Sequence, residues 1–127
     1  MKILSFLIVI LASATSFAQH LDCSNFKSGH FRYLNKDYAD LLTIRTDTTQ
    51  IDVYSETSDF KATSHLKWLS DCRYKFEYYK VNDPRFKSII GTTYTVEITE
   101  IKADTIVCHK VVNEKLQDSM LMFKIKD

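Results

Sequence analysis

From Cys72 to Lys80 the chain alternates strictly: Cys72, Tyr74, Phe76 and Tyr78 share one face, and Arg73, Lys75, Glu77 and Tyr79 share the other. A repeat of two is that of a β-strand, in which successive side chains point to opposite sides of the sheet. The same repeat recurs along the chain. Phe31 and Tyr33 oppose His30 and Arg32; Leu42 and Ile44 oppose Thr43 and Arg45; Ile51 and Val53 oppose Gln50, Asp52 and Tyr54. Ala62, Ser64, Leu66 and Trp68 line up in the next segment, and Tyr94, Val96 and Ile98 oppose Thr95, Glu97 and Thr99. Residues 105–112 are apolar on both faces, and 119–126 predict Leu121, Phe123 and Ile125 inside, against Met122, Lys124 and Lys126. The residue types agree, since Thr, Tyr, Phe, Ile and Val are abundant and favour strands.

These segments make about eight strands, and short polar stretches separate them: Asp47-Thr48, residues 56–59, Ser70-Asp71, residues 102–104 and residues 113–118. Short links join neighbouring antiparallel strands, so the chain is expected to be all-β, one up-and-down meander closed into a barrel that leaves no free edge. A two-sheet sandwich is the alternative. One longer break spans 81–90, where Asp83 can cap, Pro84 suits a first helical position and Gly91 a stop; a helical turn and an irregular loop both fit.

The segment before the strands reads as an export signal. Lys2 precedes an apolar run from Ile3 to Leu11, and Ser16 and Ala18 supply the small residues of a cleavage site. The expected organisation is a signal peptide over 1–18 and a single all-β domain over 19–127, secreted or periplasmic. The run is shorter than the roughly 20 apolar residues of a membrane span. Lipidation at Cys23 is disfavoured, because His20 and Asp22 occupy the positions where a lipobox needs an aliphatic and a small residue. Without residues 1–18 the chain carries 16 basic and 16 acidic side chains, with the signs interleaved. That argues against nucleic-acid binding, whose affinity comes from clustered Lys and Arg. Cys23, Cys72 and Cys108 permit one disulfide and leave one thiol over.

Two pieces, Cys23-Ser24-Asn25-Phe26-Lys27-Ser28-Gly29-His30-Phe31 and Trp68-Leu69-Ser70-Asp71-Cys72-Arg73-Tyr74, resemble the signature blocks of a family of small secreted bacterial proteins with no established activity. Some of its members are labelled as a subunit of DNA topoisomerase IV, work for which a short neutral chain has neither the size nor the charge. The resemblance implies a Cys23–Cys72 disulfide and an unpaired Cys108. Such a bridge would tie the amino-terminal segment to the barrel. A broader similarity to lipocalin-like barrels is one of strand count.

No pattern of catalysis or metal binding stands out, and no cofactor is expected. His20, His30, His65 and His109 are scattered, and no Gly-x-Ser-x-Gly elbow frames a serine. Cys108 and His109 are strand neighbours and point apart. The Ser70-Asp71 pair suits a tight turn as well as a recognition loop. The aromatic set Phe31, Tyr33, Trp68, Tyr74, Phe76, Tyr78 and Tyr94 falls on inferred inward faces, where it either fills a core or lines a pocket. The leading expectation is a non-enzymatic protein that binds a small apolar or amphipathic ligand in the barrel, through Trp68, Tyr74, Tyr78, Phe31, Tyr33 and Tyr94. The alternative is a protein-binding module, such as an inhibitor of a secreted enzyme.

Overall fold

A computed structural model describes residues 21–54 and 59–127. The export signal and its cleavage site, and most of the 56–59 turn, lie outside the described residues. The strands are β1 (Gly29–Tyr33), β2 (Leu41–Arg45), β3 (Thr49–Tyr54), β4 (Phe60–Ser70), β5 (Arg73–Val81), β6 (Thr93–Lys102), β7 (Thr105–Val112) and β8 (Lys115–Lys126). Each pairs antiparallel with the next, and β8 returns to β1, so the sheet is a closed up-and-down barrel. The sandwich alternative is excluded. The break after β5 holds a 3-10 helix, Pro84–Ile89, and the Asp83 carboxylate accepts from the Arg85 N–H as its cap.

The barrel has unlike ends. At one end the amino-terminal segment crosses the opening. Its 3-10 turn Ser24–Phe26 puts Phe26 into the core, and the Cys23–Cys72 disulfide fastens it to the β4–β5 turn. Gly29 begins β1 at φ +125°, and a Cβ there would lie 2.6 Å from Lys124 Cε and 2.8 Å from the Lys126 carbonyl oxygen. Only glycine allows β1 to pass β8 that closely. The Lys124 ammonium then donates to the Asn25 carbonyl at 2.7 Å, which ties β8 to the same segment. The other end carries the 34–40 connection, the Pro84–Ile89 helix and the two-residue turn between β7 and β8.

The inward faces of β4, β5 and β6 are the expected ones: Ala62, Ser64, Leu66, Tyr74, Val96 and Ile98 are buried. β7, ambiguous in sequence, turns Ile106 and Cys108 inward. Two expectations for β8 fail. On β8 the inside face is that of Met122, which is 1% exposed, whereas Leu121 and Ile125 are 39% and 47% exposed. β8 also starts at Lys115, so residues 113–118 are mostly strand rather than turn. On β2 and β3 the polar side faces in: Thr43, Arg45, Gln50 and Asp52 are buried while Leu42, Ile44, Ile51 and Val53 are half-buried on the outside. A closed barrel has one interior, so each strand's register with its neighbours decides which alternate set enters it, whatever its polarity.

Candidate functional site

The barrel interior divides into two halves. Toward the closed end, Cys23, Phe26, Phe31, Leu66, Ile98, Cys108 and Met122 belong to one apolar core. Toward the open end lies a cavity of about 600 Å³. Arg45 marks the boundary. Its guanidinium is 4.9 Å from the Phe31 ring centroid and 4.4 Å from that of Tyr74, and the whole residue is 2% exposed.

Arg45 is held because nearly all of its donors are used. Nε and Nη2 donate to Gln50 Oε1 at 3.2 and 3.0 Å, Nη2 also to the Tyr74 hydroxyl at 3.0 Å, and Nη1 to the Phe26 carbonyl at 3.0 Å. The disulfide-anchored segment therefore contributes directly to the charge layer. Gln50 passes the connection on. Its Nε2 lies 3.4 Å from each Asp52 oxygen. Asp52 Oδ1 accepts from the Thr43 hydroxyl at 2.7 Å, and Oδ2 accepts from the Tyr78 hydroxyl at 3.3 Å. Thr43 has one hydroxyl proton and gives it to Asp52, so the Tyr33 hydroxyl, 3.1 Å away, is the donor to Thr43 Oγ1. Sheet register builds this group: Arg45 faces Gln50, and Thr43 faces Asp52, as cross-strand partners of β2 and β3.

Burial sets the protonation of these groups. Desolvation raises the Asp52 carboxyl above the ordinary carboxylate range, against the lowering effect of Thr43, Gln50, Arg45 and Tyr78. Desolvation likewise pushes the phenols of Tyr33, Tyr74 and Tyr78 well above their usual value, with Asp52 adding to the rise at Tyr33 and Tyr78. They are hydrogen-bonding phenols at neutral pH.

Gln50 and Asp52 form part of the cavity floor, and Tyr33, Tyr54, Phe76, Tyr78 and Tyr94 form much of its wall. The rings pack against one another: Phe76 and Tyr78 meet edge to face at 5.6 Å, and Phe76 and Tyr94 lie 5.4 Å apart. Lys110 Nζ sits 4.8 Å from the Tyr94 centroid. Of the residues expected to line a pocket, Tyr33, Tyr74, Tyr78 and Tyr94 reach it, but Phe31 and Trp68 do not. Phe31 is fully buried beneath Arg45. Trp68 lies farther toward the closed end, 4.9 Å from Tyr74, with Lys27 Nζ 5.1 Å from its ring and no partner for its buried Nε1. The amino-terminal segment, which supplies Lys27, covers the place where Trp68 was expected to meet a ligand. Sequence reasoning missed Arg45, Gln50 and Asp52 as site residues. Their only signal was that Gln50 and Asp52 fall two apart, on one face of a strand.

Cys108 belongs to the core half. It is wholly buried with its Sγ 3.8 Å from Met122 Sδ, and desolvation pushes its thiol up to about 12. Since the thiolate is the reactive form, Cys108 should not react with a disulfide reagent in the folded protein at neutral pH and should titrate fully in denaturant. Labelling of the native protein at the rate of a free cysteine would contradict this placement. Among the described residues no group of three or more His, Cys, Asp and Glu side chains is placed to hold a metal ion. Compared with protein-family models, with curated proteins and with solved structures, the chain finds no match.

Proposed function

We propose that the protein binds a small amphipathic molecule in the open half of the barrel and does not transform it. The observation that carries this reading is the cavity itself, about 600 Å³, walled by aromatic rings and floored by Gln50 and Asp52. Apolar walls with a few convergent polar groups suit ligand capture, and a polar floor favours an amphipathic ligand over a purely apolar one. The groups at the floor are already hydrogen-bonded to one another, and the core thiol does not line the cavity. The Cys23–Cys72 disulfide fits an oxidising compartment, in keeping with export to the periplasm or the medium. No described helix is long and apolar enough to cross a membrane.

The test is a polarity-sensitive apolar fluorophore, displaced by decanol. It should bind the unaltered protein with one site. Met120→Trp, which places an indole at the cavity wall, should weaken binding by about tenfold or more, the equivalent of about 1.4 kcal/mol. Trp68→Phe should leave it unchanged within about twofold, a shift of under about 0.5 kcal/mol, and it also removes an unpartnered indole N–H. Absence of binding, or binding that follows Trp68 and ignores Met120, defeats the reading.

The open end favours a second reading, a protein-binding module such as an inhibitor of a secreted enzyme. Leu34, Phe86 and Ile90 are exposed on connections at that end. Mass spectrometry of the protein purified without denaturation from its native host separates the two, since only the first reading expects a retained small molecule.

A further inference from the structure

The open cavity has a chemical polarity of its own. The ionisable side chains on its wall, apart from the phenols, are Asp37, Asp52 and Asp118 on one side of the balance and Lys110 on the other. The acids are spread from mouth to floor: Asp37 is on the 3-10 turn Lys36–Tyr38, Asp118 on β8, and Asp52 is buried at 4% exposure. Asp52 is the deepest of the three, and although the Arg45 guanidinium acts on it through the far side of Gln50, its hydrogen bonding is incomplete. A carboxylate offers about four lone-pair sites. Only the Thr43 bond, at 2.7 Å, is short, and the contacts from Tyr78 and Gln50 are stretched to 3.3 and 3.4 Å. Above it stand the faces and edges of Tyr33, Tyr54, Tyr78, Tyr94 and Phe76. Aromatic faces attract cations through their quadrupole. The protein already uses one of them so, with the Lys110 ammonium 4.8 Å from the Tyr94 centroid.

We propose that the ligand's polar head is a cation: an alkyl- or arylammonium whose charge meets Asp52 among the tyrosine rings and whose apolar body fills the rest of the cavity. This rests on the binding function proposed above and specifies its ligand. An ammonium donor takes the lone pairs that Tyr78 and Gln50 hold only at long range. A carboxylate head in the same place would face Asp52. Placed instead at Lys110, it would compete with the Tyr94 face and drive its tail onto the polar floor.

The experiment uses decylamine, decanol and decanoate, three probes with similar tails and different head charges, each below its aggregation concentration, displacing the fluorophore near neutral pH. Decylamine should bind at least about tenfold more tightly than decanol, the scale of one well-placed charge-assisted contact, and decanoate should be the weakest. Asp52→Asn, which keeps the shape and an oxygen to accept from Thr43, should reduce the amine to the level of the alcohol. If decanol or decanoate equals the amine, the cationic head is wrong while the binding function stands. A preference for the amine that survives in folded Asp52→Asn overturns the assignment to Asp52. If neither the fluorophore nor any probe binds, the binding function itself fails. The charge series on the unaltered protein decides the head-group question even where the variant does not fold.

Discussion

Replacing Cys72 with Ser should destabilise the protein by about 4 kcal/mol, within the 2–5 kcal/mol usual for a native disulfide in a small domain. The bridge closes a loop with a sequence separation of 49 residues, and the chain-entropy cost of leaving a loop of that size open in the unfolded state is about 4 kcal/mol. The effect should reach the site. Cys23 adjoins the turn that inserts Phe26 into the closed end, and the Phe26 carbonyl accepts from Arg45 Nη1. Loosening that segment takes an acceptor from a buried guanidinium. Urea denaturation of the oxidised, reduced and Cys72→Ser proteins measures the loss, and fluorophore affinity measures its transmission. The reduced protein and the variant should weaken together. A loss under about 1 kcal/mol, the size of an average point substitution, would mean that the amino-terminal segment is held by packing alone.

The strands were largely legible in the sequence, and the site was legible in its aromatic wall but not in its polar floor. Alternation reveals that a segment has two faces, but polarity usually decides which of them is inside. For β4, β5 and β6 the inward residues are also the apolar ones, Leu66, Tyr74, Val96 and Ile98 among them, and the sequence predicts them correctly. For β2 and β3 the interior is the polar floor of a cavity. The apolar set of Leu42, Ile44, Ile51 and Val53 therefore points away from the core, and polarity suggests the wrong side. β8 misleads differently. Leu121, Phe123 and Ile125 are as apolar as Met120 and Met122, and only pairing with β7 and β1 places Met122 between Ile106 and Tyr33 as an inward residue. The aromatic set shows the same limit. Its inward orientation is readable, but its height in the barrel is not. Height separates Tyr78 and Tyr94 at the cavity from Phe31 and Trp68 below the Arg45 layer. Strand stagger and the crossing of the amino-terminal segment set that height, and neither leaves a periodic trace.

Arg45 should be the most sensitive single residue of the interior. Arg45→Met keeps much of the volume and loses every hydrogen bond. The Gln50 carbonyl, the Tyr74 hydroxyl and the Phe26 carbonyl lose their donor together, and Asp52 loses the nearest buried positive charge. Removing one member of a buried charge arrangement costs about 3–5 kcal/mol, because the remaining charge is left uncompensated. Against a total stability of about 5–15 kcal/mol for a domain, that is a large fraction. The loss should depend on pH in a set direction. Burial raises the Asp52 carboxyl above its value in the unfolded chain, so the folded state binds its proton more tightly. The stability from that proton is fully present below about pH 4, the ordinary carboxylate value, and fades as pH rises through the higher folded value. Arg45 lowers that folded value, so Arg45→Met raises it further and widens the window over which stability falls with pH. The variant should lie nearest the unaltered protein in acid and farthest from it at neutral pH. Adding Asp52→Asn removes the uncompensated charge and should restore part of the loss and flatten the profile. Urea midpoints of the two single variants and the double variant, taken between pH 4 and 8, test all of this. A loss under about 1 kcal/mol for Arg45→Met, or one that does not vary with pH, would show that the Phe31 and Tyr74 rings, rather than the charge network, hold the middle of the barrel.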